Sequence, residues 1–308
     1  MELESFIYSR DSGWSINQFP PMDSENTVII VLSNISLPSD SGPLVEISNF
    51  YPNSKIIGYS GTEAVLGEFL LGNSIPLVSI LDHHLLVTVI RFNNTKTKLK
   101  YLDLKANNNV HLFEQSILEE AGEEQSKGVF IFSNSDKMGA KFNKMLSEHL
   151  HSNSCVFYST TKAQGLKKYW VMSEGEIKEN AAFAIVFQGN RFHLESDFKR
   201  QSLMEYAGDT PVLALGQFKH TALSQMDEEC AIEDILTYLP TQTKLIGFHS
   251  VQRTEGSQDL LYAPLVFLYE DIEQKTDVGE LNAVSGKEIA HQMLTQIKRK
   301  IAHTHLLL

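Results

Sequence analysis

Val28-Ile29-Ile30-Val31-Leu32-Ser33 is an apolar run closed by a small polar residue, and its pattern returns twice, as Val129-Phe130-Ile131-Phe132-Ser133 and Val212-Leu213-Ala214-Leu215-Gly216. Continuous apolar runs of this length read as strands buried on both faces. Each is followed, beyond a stretch with helical spacing, by a second strand. These read Ile56-Ile57-Gly58-Tyr59-Ser60, Val156-Phe157-Tyr158-Ser159 and Leu245-Ile246-Gly247-Phe248-His249-Ser250. Third apolar strands come later, as Ile75-Pro76-Leu77-Val78-Ser79-Ile80, Phe183-Ala184-Ile185-Val186-Phe187 and Ala263-Pro264-Leu265-Val266-Phe267-Leu268. The copies open at 28, 129 and 212, a spacing longer than that of ordinary solenoid repeats. The expectation is an α/β protein built from repeated strand–helix–strand–strand units. Their mixed sheets, flanked by helices, would form a pseudo-symmetric layered sandwich. Strand ends that face one another across such a repeat are the expected place for a ligand.

The intervening segments punctuate this frame. Asp40-Ser41-Gly42-Pro43 opens a short helix carrying Leu44, Ile47 and Phe50, and Tyr51-Pro52-Asn53 stops it. Leu85 to Phe92 and Leu99 to Leu104 read as an antiparallel pair around Asn93-Asn94. A helix with Phe113, Ile117, Leu118 and Ala121 follows. Met138, Phe142, Met145 and Leu146 mark the helix of the second copy, and Ile232, Ile235, Leu236 and Leu239 that of the third. Gly189-Asn190 between Phe187 and Phe192 is a two-residue hairpin signal of the primed-turn type. Each strand–helix–strand step implies a parallel pair joined by a crossover. Polar stretches at 195–210 and 273–279 set off the third copy and a terminal helix with Ile289, Met293, Ile297 and Ile301. That helix would pack on the body or serve as half of a dimer or signalling helix.

The 308 residues carry a formal net charge of −12, opposite to the basic face that nucleic acid requires. The two cysteines, Cys155 and Cys230, form no CxxC, and Met1-Glu2-Leu3-Glu4 lacks the basic-then-apolar order of a signal peptide. Apolar runs are of strand length, well under the roughly 20 residues of a bilayer span. The expectation is a cytoplasmic protein with neither a membrane nor a nucleic-acid partner.

Gly13-Trp14, Met22-Asp23-Ser24 before Thr27 to Val31, and Tyr51-Pro52-Asn53 running into Ile56-Ile57-Gly58-Tyr59-Ser60 resemble the N-terminal half of FIST sensory proteins. Leu239-Pro240 leading to Gly247-Phe248-His249-Ser250 resembles the C-terminal half. Gly61-Thr62-Glu63-Ala64 stands where that family carries Thr-Ala-Gly-Glu. The resemblance implies a FIST N-like region over 10–200, a shortened FIST C-like region over 205–272, and a C-terminal helix over 280–308. It also implies an intracellular, non-enzymatic module that senses a small ligand in signal transduction. A separate histidine kinase or cyclase would read the signal. Some members bind heme to sense nitric oxide, and a eukaryotic branch recruits proteins to a ubiquitin ligase.

The candidate ligand residues are Ser60, Thr62, Glu63, His249, Ser250 and Arg253. Hydroxyls and backbone N–H groups in a turn after a strand suit an anion or a polar ligand. Local Ser/Thr turn bonding is the plainer reading. His249 and Arg253 would together grip a carboxylate. His83 or His84 would serve as an axial ligand only if heme were bound, since neighbours on a strand point to opposite faces. No other cofactor is expected. A hydrolase-type enzyme using Ser60 or Cys155 with a distant His is one alternative, though no Gly-x-Ser-x-Gly elbow supports it. A protein-interaction scaffold is another.

Overall fold

The computed structural model describes residues 1–33, 41–60, 64–66, 78–79, 84–103, 110–121, 126–133, 155–160, 171–173, 176–178, 181–196, 211–218, 243–250 and 266–270. The helices expected near 138–146, 232–239 and 289–301 lie outside those residues. The chain opens with β1 (Glu2–Ser9), β2 (Gly13–Trp14), β3 (Thr27–Ser33), α1 (Gly42–Phe50), β4 (Lys55–Ser60), β5 (Ala64–Leu66), β6 (Val78–Ser79) and β7 (His84–Arg91). There follow β8 (Lys96–Asp103), α2 (Val110–Ala121), β9 (Ser126–Ser133), β10 (Cys155–Thr160), β11 (Val171–Ser173), β12 (Glu176–Lys178) and β13 (Ala181–Gln188). The last are β14 (Phe192–Ser196), β15 (Val212–Phe218), β16 (Thr243–Ser250) and β17 (Val266–Glu270). The described protein is mixed α/β, mostly strands, in three sheets with two helices.

One strand order runs through all three sheets. It is β4-β3-β7-β1 in the first, β10-β9-β13-β8 in the second and β16-β15-β17-β14 in the third. In every set the first two strands are parallel, as the strand–helix–strand reading requires. The other pairings are antiparallel. The paired registers join Ser33 to Ser60 and Ser133 to Thr160, so the polar strand ends lie side by side.

Three expectations need correction. The antiparallel partner of β3 in the first set is β7, whereas Val78-Ser79 of the expected third strand forms β6 in the third sheet. Neither expected hairpin forms, because β7 is already flanked by β3 and β1, and β13 by β9 and β8. A strand has only two edges. The chain therefore turns at Asn93-Asn94 and at Gly189-Asn190 and passes to the next sheet.

Packing explains why the central strands are apolar throughout. Ile30 and Leu32 of β3 face an inner core shared with Phe130 and Phe132 of β9, Phe183, Ile185 and Phe187 of β13, and Leu213 and Leu268 of the third sheet. The alternate residues Ile29 and Val31 lie under Leu44 and Ile47 of α1. Val129, Ile131, Ala182, Ala184 and Val186 lie under Phe113, Ile117 and Ala121 of α2. The small alanines of β13 let that helix approach closely. Pro43 suits the first turn of α1, where its missing N–H costs nothing. An aromatic cluster in the β2–β3 connection covers more of the first sheet, with Phe19 edge-on to Phe6 at 5.6 Å and to Trp14 at 5.1 Å.

Candidate functional site

Ser60 is the last residue of β4, paired with Ser33 of the neighbouring strand. His249 and Ser250 end β16, paired with Gln217 and Phe218. These two strand ends belong to different sheets, yet the chain ties them together. Four residues after Ser60 it re-enters as β5, which joins the third sheet with Ala64 paired to His249 and Val65 to Phe248. Four residues of fully extended chain span at most about 14 Å, and paired Cα atoms stand about 4.5 to 5.5 Å apart. The Cα atoms of Ser60 and His249 are thus no more than about 20 Å apart. Thr62, Glu63 and Arg253 lie outside the described residues, as does His83. His84 is the first residue of β7, paired with Ser9 of β1.

Asp23, Tyr51, Asn53 and Ser54 of the first half gather in a different place. The Asp23 carboxylate accepts hydrogen bonds from Ser54 Oγ at 2.7 Å, Asn53 Nδ2 at 2.8 Å and Asn53 N at 3.1 Å. Tyr51 donates its hydroxyl to Pro20 O at 2.9 Å, and Trp14 Nε1 donates to Glu46 at 2.6 Å. Burial, reinforced by the Asp23 charge, pushes the Tyr51 phenol well above its ordinary pKa and keeps it neutral. These residues staple the turn before β3 to the turn after α1. Their arrangement is architectural, and it sets the position from which β4 runs to Ser60. An open surface cavity of about 390 Å³ beside this staple is lined by Glu25, Ser48, Tyr51 and Lys55 among others. Burial lowers the Lys55 pKa, the Glu25 charge counteracts that, and the ammonium donates to the Glu25 backbone carbonyl.

A buried carboxylate that the sequence reading passed over lies at the end of β17. Glu270 is 1% exposed. It accepts from Asn93 N at 2.8 Å and Asn94 N at 3.0 Å, and from the Thr95 hydroxyl. The α-amino group of Met1 is 3.1 Å away. Burial pushes this carboxyl up, but the bonds from Thr95, Asn93 and Asn94 and the Met1 charge outweigh it and hold it below the ordinary carboxylate range. An acid closing an apolar strand reads as a solvated end. Only its position against the Asn93–Thr95 turn identifies its partners.

Among the described residues no cluster of three or more His, Cys, Asp or Glu has the geometry of a metal site. No described helix is long and apolar enough to cross a membrane. No family model matches the chain, and no curated protein matches it.

Proposed function

We propose that this protein is an intracellular, non-enzymatic module that binds a small molecule where its first and third sheets meet. A separate signalling protein, such as a histidine kinase or cyclase, would read the bound state. In this reading the three strand sets are units of one pseudo-symmetric layered sandwich, and the seams between units form the ligand sites. The observation that supports it is the pairing of Ala64 with His249. That pairing ties the chain leaving Ser60 to the end of β16, which supports reading the two groups of candidate residues as parts of one ligand site. Ser60, Thr62, Glu63, His249, Ser250 and Arg253 supply hydroxyls, a carboxylate, an imidazole and a guanidinium. The imidazole and the guanidinium together suit a ligand with a carboxylate.

Native mass spectrometry of the purified protein identifies any retained molecule, and calorimetry with that molecule tests the site. Arg253→Ala and His249→Ala should each weaken binding about ten-fold or more, the loss of one charge-assisted contact. Arg253→Lys should recover only part, because a bidentate grip needs the planar fork. Unchanged affinity in both alanine variants would refute the site. Catalytic turnover abolished by Ser60→Ala would favour an enzyme instead.

A further inference from the structure

We propose that Lys55 is a carbonyl-trapping lysine, whose amine forms an imine with a small, uncharged aldehyde that enters the open cavity beside it. That cavity, of about 390 Å³, falls within the range of about 300 to 1,000 Å³ that small-molecule sites occupy. Its lining joins Glu25 of the β2–β3 connection to Ser48 and Tyr51 at the end of α1 and to Lys55, where β4 begins. Among the described residues, Lys55 supplies the cavity's one amine. The backbone that carries it is held firmly. Lys55 pairs with Val28 of β3, Ser54 before it donates to Asp23 at 2.7 Å, and Ile56 after it is buried in the core under α1.

What Lys55 bonds to sets it apart from other lysines. Its Nζ donates to the backbone carbonyl of Glu25, whereas Lys100 and Lys178 rest on the carboxylates of Glu120 and Glu176. A carboxylate holds its partner as the ammonium. A neutral carbonyl accepts from the free amine as well, and leaves the nitrogen lone pair available. Half-burial lowers the Lys55 pKa, the Glu25 charge opposes that, and the Lys98 charge on β8 adds to it. The bond to Glu176 instead raises the pKa of Lys178. A share of free amine is what a Schiff-base lysine requires. The Nζ lone pair adds to the aldehyde carbon, the C=O π pair moves to oxygen, oxygen takes a proton from water and nitrogen gives one up. The carbinolamine then loses its hydroxyl as water while the nitrogen lone pair closes the C=N bond. One amine and one aldehyde thus give one imine and one water. Charge selects the aldehyde, because Glu25 and the carbonyl end of α1 both disfavour an anionic carbonyl compound. The inference is independent of the ligand-binding reading at the seam.

Propanal tests this on the intact protein near neutral pH. Sodium cyanoborohydride traps the imine by adding hydride to its carbon, and peptide mass spectrometry then reads each lysine separately. Lys55 should be alkylated about ten-fold or more faster than Lys178 in the same sample. The Lys55 rate should level off as propanal rises, since the aldehyde binds in the cavity before it reacts. The rate at exposed Lys178 should stay proportional to concentration. Glyoxylate, an aldehyde that carries a carboxylate, should lose most of the advantage of Lys55 over Lys178. Equal rates at the two lysines would overturn the inference. So would a Lys55 rate that never saturates, or an advantage that glyoxylate shares in full. Both lysines report from one folded protein, so the outcome does not depend on a variant that must fold.

Discussion

The two junctions between strand sets do the same topological job with different chemistry. At the first, Phe92-Asn93-Asn94-Thr95 leads from β7 to β8, and its donors converge on the Glu270 carboxylate. At the second, Gly189-Asn190-Arg191 leads from β13 to β14, closed by a bond from Phe192 N to Gly189 O at 3.4 Å. The two turns touch: a Cβ on Gly189 would sit 3.1 Å from Asn94 O and 3.3 Å from Thr95 Cα. Beneath them Phe92, Phe187 and Phe192 form a triangle of rings with centroids 4.8 to 5.8 Å apart. All three sets therefore meet at one point, where β17 of the third supplies the carboxylate that caps the exit of the first. One junction is held by a buried charge, the other by the room an absent side chain leaves.

The largest effect should come from removing that charge. Glu270→Ala leaves the buried Thr95 hydroxyl and the Met1 ammonium without their acceptor, together with the N–H groups of the exposed Asn93 and Asn94, and should cost about 3 to 5 kcal/mol, read from urea denaturation. A loss under 1 kcal/mol would mean that water replaces the carboxylate and that the two junctions do not differ as described. Glu270→Gln sharpens the point through pH. The folded-state pKa of Glu270 lies below its unfolded value, so its stabilisation is complete above the ordinary carboxylate pKa of about 4.3. It is lost as pH falls through the lower folded value. Melting temperatures recorded from pH 6 to pH 3 should fall less steeply for the glutamine variant than for the parent. Parallel curves would remove Glu270 from the acid response.

How the sequence leads to these junctions is instructive. The three parallel pairs and both described helices are legible in it, because hydrophobic period and length are local properties. The first-set error has an equally physical source. Ile75–Ile80 is apolar enough for a strand, but periodicity does not say which edge a strand will join. The turns at Asn93-Asn94 and Gly189-Asn190 were legible as turns and illegible as sheet changes, since that depends on strands far away in sequence taking both edges of β7 and β13. Of the candidate site, the ends of β4 and β16 were legible as strand ends. Their link through β5 was not, because a three-residue strand such as Ala64–Leu66 carries no period.

Thr95 tests the first junction more gently. Thr95→Val keeps the shape and removes the hydroxyl that donates to Glu270. A hydrogen bond to a charged group is worth about 1.5 to 3 kcal/mol, and the two backbone donors remain, so the loss should lie near the lower figure. In the Glu270→Gln background the same substitution should cost measurably less. Equal costs in both backgrounds would show that Thr95 acts by packing alone.

Gly189 tests the second junction and should give the smallest of these effects. The turn was expected to use the left-handed backbone that glycine tolerates, yet Gly13, at φ 73°, is the described glycine in that region. For Gly189 the requirement is therefore space. The listener to an added methyl is the backbone of Asn94 and Thr95, which must shift by a few tenths of an ångström to admit it. Overpacking of this kind costs about 1 to 3 kcal/mol, offset in part by the lower chain entropy of the unfolded alanine variant. Gly189→Ala should thus lose about 1 kcal/mol, read from thermal melts. Because the strain falls on the Asn94–Thr95 backbone, the loss should depend on Glu270 holding that turn in place. In the Glu270→Ala protein the turn is freer to move, and the added methyl should cost less. If Gly189→Ala costs the same with and without Glu270, the two junctions are energetically independent despite touching.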